Sequence, residues 1–169
     1  GIRDVLGSRG LGDGYKRQAE ELKVRVKRLQ ELKRMMMLLQ GELRFHRAAL
    51  SEAFESVAER MEDPFQSFLS ETAERLEQRE SGGFEGIWEE MSEKLLRTEG
   101  FQKGDDRLLE VLKNGLGYLD LTMQTETLNL AMIQAEEAIA IAKDQQESRG
   151  KLYRTMGVTV GALLILLII

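Results

Sequence analysis

Residues 21–43 read ELKVRVKRLQELKRMMMLLQGEL. Within them Leu22, Val26, Leu29, Leu32, Met36, Leu39 and Leu43 recur at steps of three and four. That spacing puts all seven on one face of an α-helix. Lys23, Arg25, Lys27, Arg28, Lys33 and Arg34 occupy most of the remaining positions. The run Met35-Met36-Met37-Leu38-Leu39 is apolar all round, so this part of the helix is expected to be enclosed by neighbours. Core packing accounts for the methionines better than a docking face does, although methionine suits both.

The same grammar extends in both directions. Upstream, residues 1–14 (GIRDVLGSRGLGDG) hold five glycines and no helical period. They read as a flexible lead-in to a helix starting at Tyr15. Downstream, Ser51 is placed to cap a second helix carrying Phe54, Val57, Ala58 and Met61. Glu62-Asp63-Pro64 stops it, and Pro64 suits the first turn of a third helix with Phe65, Phe68, Leu69, Ala73 and Leu76 as its stripe. Ser81-Gly82-Gly83 breaks the chain. Phe84, Ile87, Trp88, Met91 and Leu95 then mark a fourth helix, with Trp88 expected in the core. After a glycine-bounded loop over 97–104, Asp105-Asp106 opens a fifth helix through Leu108, Leu109, Val111 and Leu112. Asn114-Gly115-Leu116-Gly117 ends it, Gly115 and Gly117 being expected to serve a left-handed turn. Asp120 is the expected N-cap of a long last helix running to about Arg149.

The fold class this predicts is all-α: a six-helix bundle with long first and last helices, followed by a C-terminal membrane segment. Composition agrees. The chain of 169 residues has one proline, no cysteine and an aromatic content of only 6%. A sheet has little to build from, and disulfides, thiolate metal sites and cysteine nucleophiles are excluded. Charge is uneven. Residues 1–60 carry 13 Lys/Arg against 9 Asp/Glu, and residues 61–149 carry 9 against 20. Two solvated helix faces explain that asymmetry most simply. It would also steer a basic partner to the acidic part, or press the basic helix toward anionic lipid.

The tail, residues 156–169, reads MGVTVGALLILLII and is free of charge. Fourteen helical residues span roughly 21 Å, short of a hydrocarbon core of about 30 Å. Counting back to Leu152 lengthens the span if Arg154 snorkels to the interface and Tyr153 sits among headgroups. Lys151 and Arg154 flank it on the N-terminal side, which by the positive-inside rule leaves the preceding domain in the cytoplasm. The competing reading is a buried helix of a soluble core. Gly157 and Gly161 form a Gly-x-x-x-Gly pair suited to close packing of membrane helices.

Leu116-Gly117-Tyr118-Leu119-Asp120, Gln124, the Glu-rich last helix and Lys151-Leu152-Tyr153-Arg154-Thr155-Met156-Gly157-Val158 stand in the order of the stage III sporulation protein AB family of endospore-forming bacteria, which the chain resembles over nearly its whole length. Leu38-Leu39-Gln40-Gly41-Glu42-Leu43-Arg44-Phe45 is similar to that family's Leu-Leu-x-x-Glu-Ile-x-Tyr stretch, and Phe84-x-x-Ile87-Trp88 to its central helix. Ala48-Ala49-Leu50 departs from the family's Thr-Pro-Leu. The resemblance implies a fold like the cytoplasmic domains of type II secretion and type IV pilus inner-membrane platform proteins. It further implies a seat in the mother-cell membrane around the forespore, within a channel between the two cells. The implied partners are a stage III sporulation protein AA-type ATPase and other channel subunits. The family begins with a transmembrane helix, so Gly1 is expected to follow such a span.

Catalysis has no support in the residues. Glu42 and His46, four apart, suit a carboxylate–imidazole pair, but His46 is the single histidine and a di-metal bundle needs Glu-x-x-His twice. Glu42 is instead expected to pair with an arginine or to cap a neighbouring helix. No Walker sequence occurs, and Gly115-x-Gly117 lacks the strand and third glycine of a phosphate cradle. The expectation is a non-enzymatic protein with no cofactor, no metal, no nucleic acid and no small-molecule substrate. Glu42, Trp88, Gly117, Asp120, Gln124, Tyr153, Arg154 and Gly157 are its candidate structural or interaction residues. Two further readings are a peripheral lipid-surface protein and a soluble coiled-coil adaptor.

Overall fold

The structure, a computed structural model, describes residues 2–79 and 81–168. Gly1 and Ile169, the ends of the expected lead-in and tail, lie outside the described residues. Among the described residues there are six α-helices: α1 (Ile2–Gly41), α2 (Leu50–Ala58), α3 (Phe65–Glu77), α4 (Gly83–Leu96), α5 (Asp106–Leu116) and α6 (Leu121–Ile168). A π-turn over Glu42–His46 closes α1 and ends on Arg47 in the left-handed region. Glu42 and Leu43 point inward there, while Arg44, Phe45 and His46 are exposed.

The two long helices lie side by side and antiparallel. Tyr15 stacks on Tyr153 with ring centroids 4.3 Å apart. Arg149 donates to Gln18 at 2.7 Å, Lys33 pairs with Glu136, and the Gln40 amide reaches Asn129 Oδ1 at 2.6 Å. The four short helices pack in sequence order, α2 on α3, α3 on α4, α4 on α5, and α5 closes back on α6. The α1 stripe read from 21–43 faces this assembly: Leu29, Leu32, Met36 and Leu39 are fully buried. An aromatic cluster fills the middle, where Trp88 stacks on Phe54 at 5.7 Å and meets Phe68 edge-on at 5.1 Å. Burial on this scale, about 1.5–3 kcal/mol per large apolar side chain, is what holds the short helices in place.

Four local expectations need correction. Residues 2–14 continue α1 rather than forming a flexible lead-in. Each glycine there costs about 1 kcal/mol in helix propensity, but no proline interrupts the chain, and extending an established helix avoids the cost of a new nucleus. The second helix begins at Leu50, one residue before Ser51, and its N-cap is Ala49. Glu52 takes the cap's role by accepting from the Ala49 N–H at 3.3 Å. Met35 and Met36 are fully buried, but Met37 is 55% exposed, so the methionine run is enclosed on one side only. Finally, α6 does not stop near Arg149. It runs unbroken across Gly150 into the apolar tail, as Gly150 keeps a helical backbone.

Candidate functional site

The last core residue of α6 is Ala142. Beyond it the helix leaves the bundle, and Leu152, Met156, Val158, Leu163 and Ile165 all stand exposed. This is the one helix among the described residues long and apolar enough to cross a membrane, and its apolar window is unburied. The tail is therefore not core of the bundle. Tyr153 lies at the start of this stretch, where its ring is held by Tyr15. Arg154 is exposed on the same turn. A Cβ added at Gly157 or Gly161 would meet nothing within 4 Å, so both positions keep an open surface.

At the opposite end of the bundle the turn between α5 and α6 is tied by two residues singled out from sequence, Asp120 and Gln124. The Asp120 carboxylate accepts the Met123 N–H at 3.0 Å, the N-cap geometry expected of it. Gln124 donates to the carbonyls of Leu116 at 2.9 Å and Tyr118 at 2.6 Å, satisfying acceptors left free where α5 ends. Gly117 has φ −69°, an ordinary right-handed value, and Gly115 sits within α5 with no positive φ. The expected left-handed turn is absent here, and the glycines answer to space instead. A Cβ at Gly115 would lie 1.8 Å from Thr127 Oγ1, and one at Gly117 would lie 2.9 Å from Phe84. Glycine lets α5 approach both neighbours.

Glu42 is buried at the π-turn and bonds the Arg60 guanidinium, with His46 Nδ1 3.0 Å from its other oxygen. Burial pushes the Glu42 carboxyl up. The Arg60 and Ser56 hydrogen bonds and the positive charge of Arg60 outweigh that and hold it below its ordinary range. The pair ties the end of α1 to the end of α2. Trp88 is fully buried, and its indole N–H donates to the Leu109 carbonyl at 2.9 Å, joining α4 to α5. Among the described residues no cluster of three or more metal-binding side chains occurs. A cleft between α3 and α4 has a volume of about 170 Å³, and one between α4 and α5 about 230 Å³. Both are smaller than typical small-molecule sites of roughly 300–1,000 Å³.

Other ties gave no local signal. Asp105 is buried, accepts from Arg25 at 2.9 Å and from the Gln102 N–H at 2.7 Å. Arg25 lies 80 positions away in sequence, so only the register of α1 against the 97–105 loop brings them together. Gln40 and Lys33 likewise look like surface residues until α6 is laid beside them.

Comparison with known proteins agrees with this architecture. A family model described as stage III sporulation protein AB matches residues 12–169. The stage III sporulation protein AB of Bacillus subtilis (strain 168) is 24% identical over 144 residues, covering 85% of this chain and 84% of that protein. A solved structure of a stage III sporulation protein AB superimposes with a TM-score of 0.66 at 22% identity, over 74% of this chain and 98% of the other.

Proposed function

This chain belongs to the stage III sporulation protein AB family, and from that premise we propose that it is a membrane-anchored platform subunit of the channel complex between mother cell and forespore. Residues 15–150 form the cytoplasmic bundle and 151–169 the transmembrane segment, seated in the mother-cell membrane around the forespore. The bundle links a stage III sporulation protein AA-type ATPase to the other channel subunits. It contributes no catalytic step of its own.

The observation that carries this reading is the continuity of α6. One helix packs a single stripe of its first half, Leu128 to Ala142, into the bundle and leaves its last part exposed and apolar. With α1 alongside, a force or a partner held at the bundle is transmitted to the membrane through helix rather than through a linker. Lys151 and Arg154 at the near edge of the apolar stretch support a cytoplasmic bundle. A lipid-surface role for the basic helix is less well supported, because much of its charge is engaged within the chain. Arg25 pairs with Asp105, Arg28 and Lys27 with Glu31, and Lys33 with Glu136.

The test has two parts. The polypeptide of residues 1–169 should float with liposomes at high salt, and one of residues 1–155 should not. From membranes of sporulating cells, the tagged full-length chain should co-purify with the ATPase. Capture of no channel component would defeat the platform reading, and salt-sensitive flotation that survives tail deletion would transfer the case to the basic helix.

A further inference from the structure

The buried positions of α6 are Leu128, Ala131, Ala135, Ile139 and Ala142. On the opposite side of the same helix a second regular pattern is present. Positions 123, 126, 130, 133, 137, 140 and 144 follow alternating steps of three and four, three heptads of a coiled-coil seam. All seven are exposed. The apolar members are Met123, Leu130, Ile133 and Ala140, with Ile141 flanking; Leu130 and Ile133 are 51% and 55% exposed. The others are Glu126, Glu137 and Asp144, and none of these carboxylates has an ion-pair partner among the described residues. The seam extends about 32 Å along the bundle.

We propose that this outer face of α6 is a docking site for one amphipathic helix of a partner protein, apolar along its seam and flanked by Lys or Arg. A solvated face would have no reason to place branched apolar residues at heptad spacing amid unpaired acids. The apolar residues supply the area to be buried, and the acids select the sign of the partner. A second copy of the chain fits poorly. Two copies of this face would set each carboxylate against its own counterpart in parallel register, and against Met123, Leu130 or Ala140 in antiparallel register. The outer face of α1 in a second copy, through Glu20, Lys23, Lys27, Gln30 and Arg34, offers charge but only Met37 as an apolar contact. The inference rests on the platform reading only in taking this face to meet protein rather than lipid.

The experiment places a photo-crosslinking amino acid at position 140 of the full-length chain in sporulating cells, with position 30 on α1 as the comparison. The crosslinked peptide is identified by mass spectrometry. The expected product joins position 140 to a basic amphipathic segment of another protein. The charge-reversing pair Glu126→Lys and Glu137→Lys, and separately Leu130→Ser with Ile133→Ser, should each lower it about tenfold or more. Helical content, checked by circular dichroism, should stay unchanged because every substituted side chain is exposed. A crosslink to a second copy, to an acidic segment or to lipid, no crosslink at all, or a crosslink indifferent to both pairs would overturn the proposal. If the ATPase still co-purifies in that case, only the α6 surface is wrong and the platform reading stands.

Discussion

Gly115→Ala should destabilise this bundle, although alanine is the better helix former. In an open helix interior the change stabilises by up to about 1 kcal/mol. At position 115 the new methyl would lie 1.8 Å from Thr127 Oγ1 and 2.5 Å from both Thr127 Cβ and Cγ2. Turning the threonine side chain relieves the oxygen and Cγ2, but Cβ is fixed to the backbone of α6. The two helices must therefore separate, and overpacking of this kind costs about 1–3 kcal/mol. A net loss of about 1–2 kcal/mol follows, or roughly 2–8 °C in Tm for a domain of this size. Gly150→Ala is the internal control, because its added Cβ meets nothing within 4 Å. It should hold or raise stability by up to about 1 kcal/mol. Thermal unfolding of detergent-solubilised protein, followed by far-ultraviolet circular dichroism, reads both. The double variant Gly115→Ala with Thr127→Gly removes the clashing carbons and should recover most of the loss. A Gly115→Ala protein as stable as the parent, or a loss that Thr127→Gly fails to relieve, would show that α5 and α6 do not approach as described.

Two further outcomes are expected. Glu42 has a folded-state pKa below its ordinary 4.5. Its ionised form therefore stabilises the fold fully above that ordinary value, and the contribution drains away as pH falls through the lowered pKa. Denaturant titrations across pH 3–7 should show the parent losing stability on acidification more steeply than Glu42→Gln. Arg60→Ala should cost about 1–3 kcal/mol at pH 7, toward the lower end because the Arg60 side chain is 42% exposed; equal acid slopes in parent and Glu42→Gln would refute the pairing. Trp88 is the single tryptophan and is fully buried, so its emission should be blue-shifted in the folded state and move red on unfolding. Trp88→Phe should cost roughly 1–2 kcal/mol through loss of the bond to the Leu109 carbonyl and of indole contacts.

What could be read from sequence divides by the range of the interaction that decides it. The apolar stripes of 21–43 and of the four short helices are local patterns, and a helix with such a stripe has one face to bury wherever its neighbours lie. Caps are also local: Asp120 needs only the N–H three residues on, and it makes that bond. Glu42 needed one step more. A carboxylate inside an apolar stripe demands a cation, and Arg60 from the end of α2 supplies it, though the stripe does not say which arginine. Gly115 and Gly117 mark the boundary of that logic. A glycine near a helix end has two physical uses, a positive φ or a close approach. The choice between them rests on Thr127 and Phe84, which belong to other helices. Arg25 and Asp105 lie beyond it altogether, each unremarkable in its own segment.

The lead-in, and the expected end of the last helix near Arg149, misled for a shared reason. Composition reports what a segment prefers alone, yet residues 2–14 and 143–168 extend helices already paid for by the bundle between them. Two long helices joined in antiparallel register by Gln18–Arg149 and Tyr15–Tyr153 turn the bundle's exit into a two-helix stalk. A fourteen-residue apolar tail is short for a solitary anchor. As the end of a 48-residue helix it starts from a fixed direction, and on the proposed anchoring that direction would set how Leu152 and Tyr153 meet the interface. The same stiffness bears on the proposed docking face of α6, because a partner helix seated on Leu130 and Ile133 would be held at a fixed distance from the bilayer.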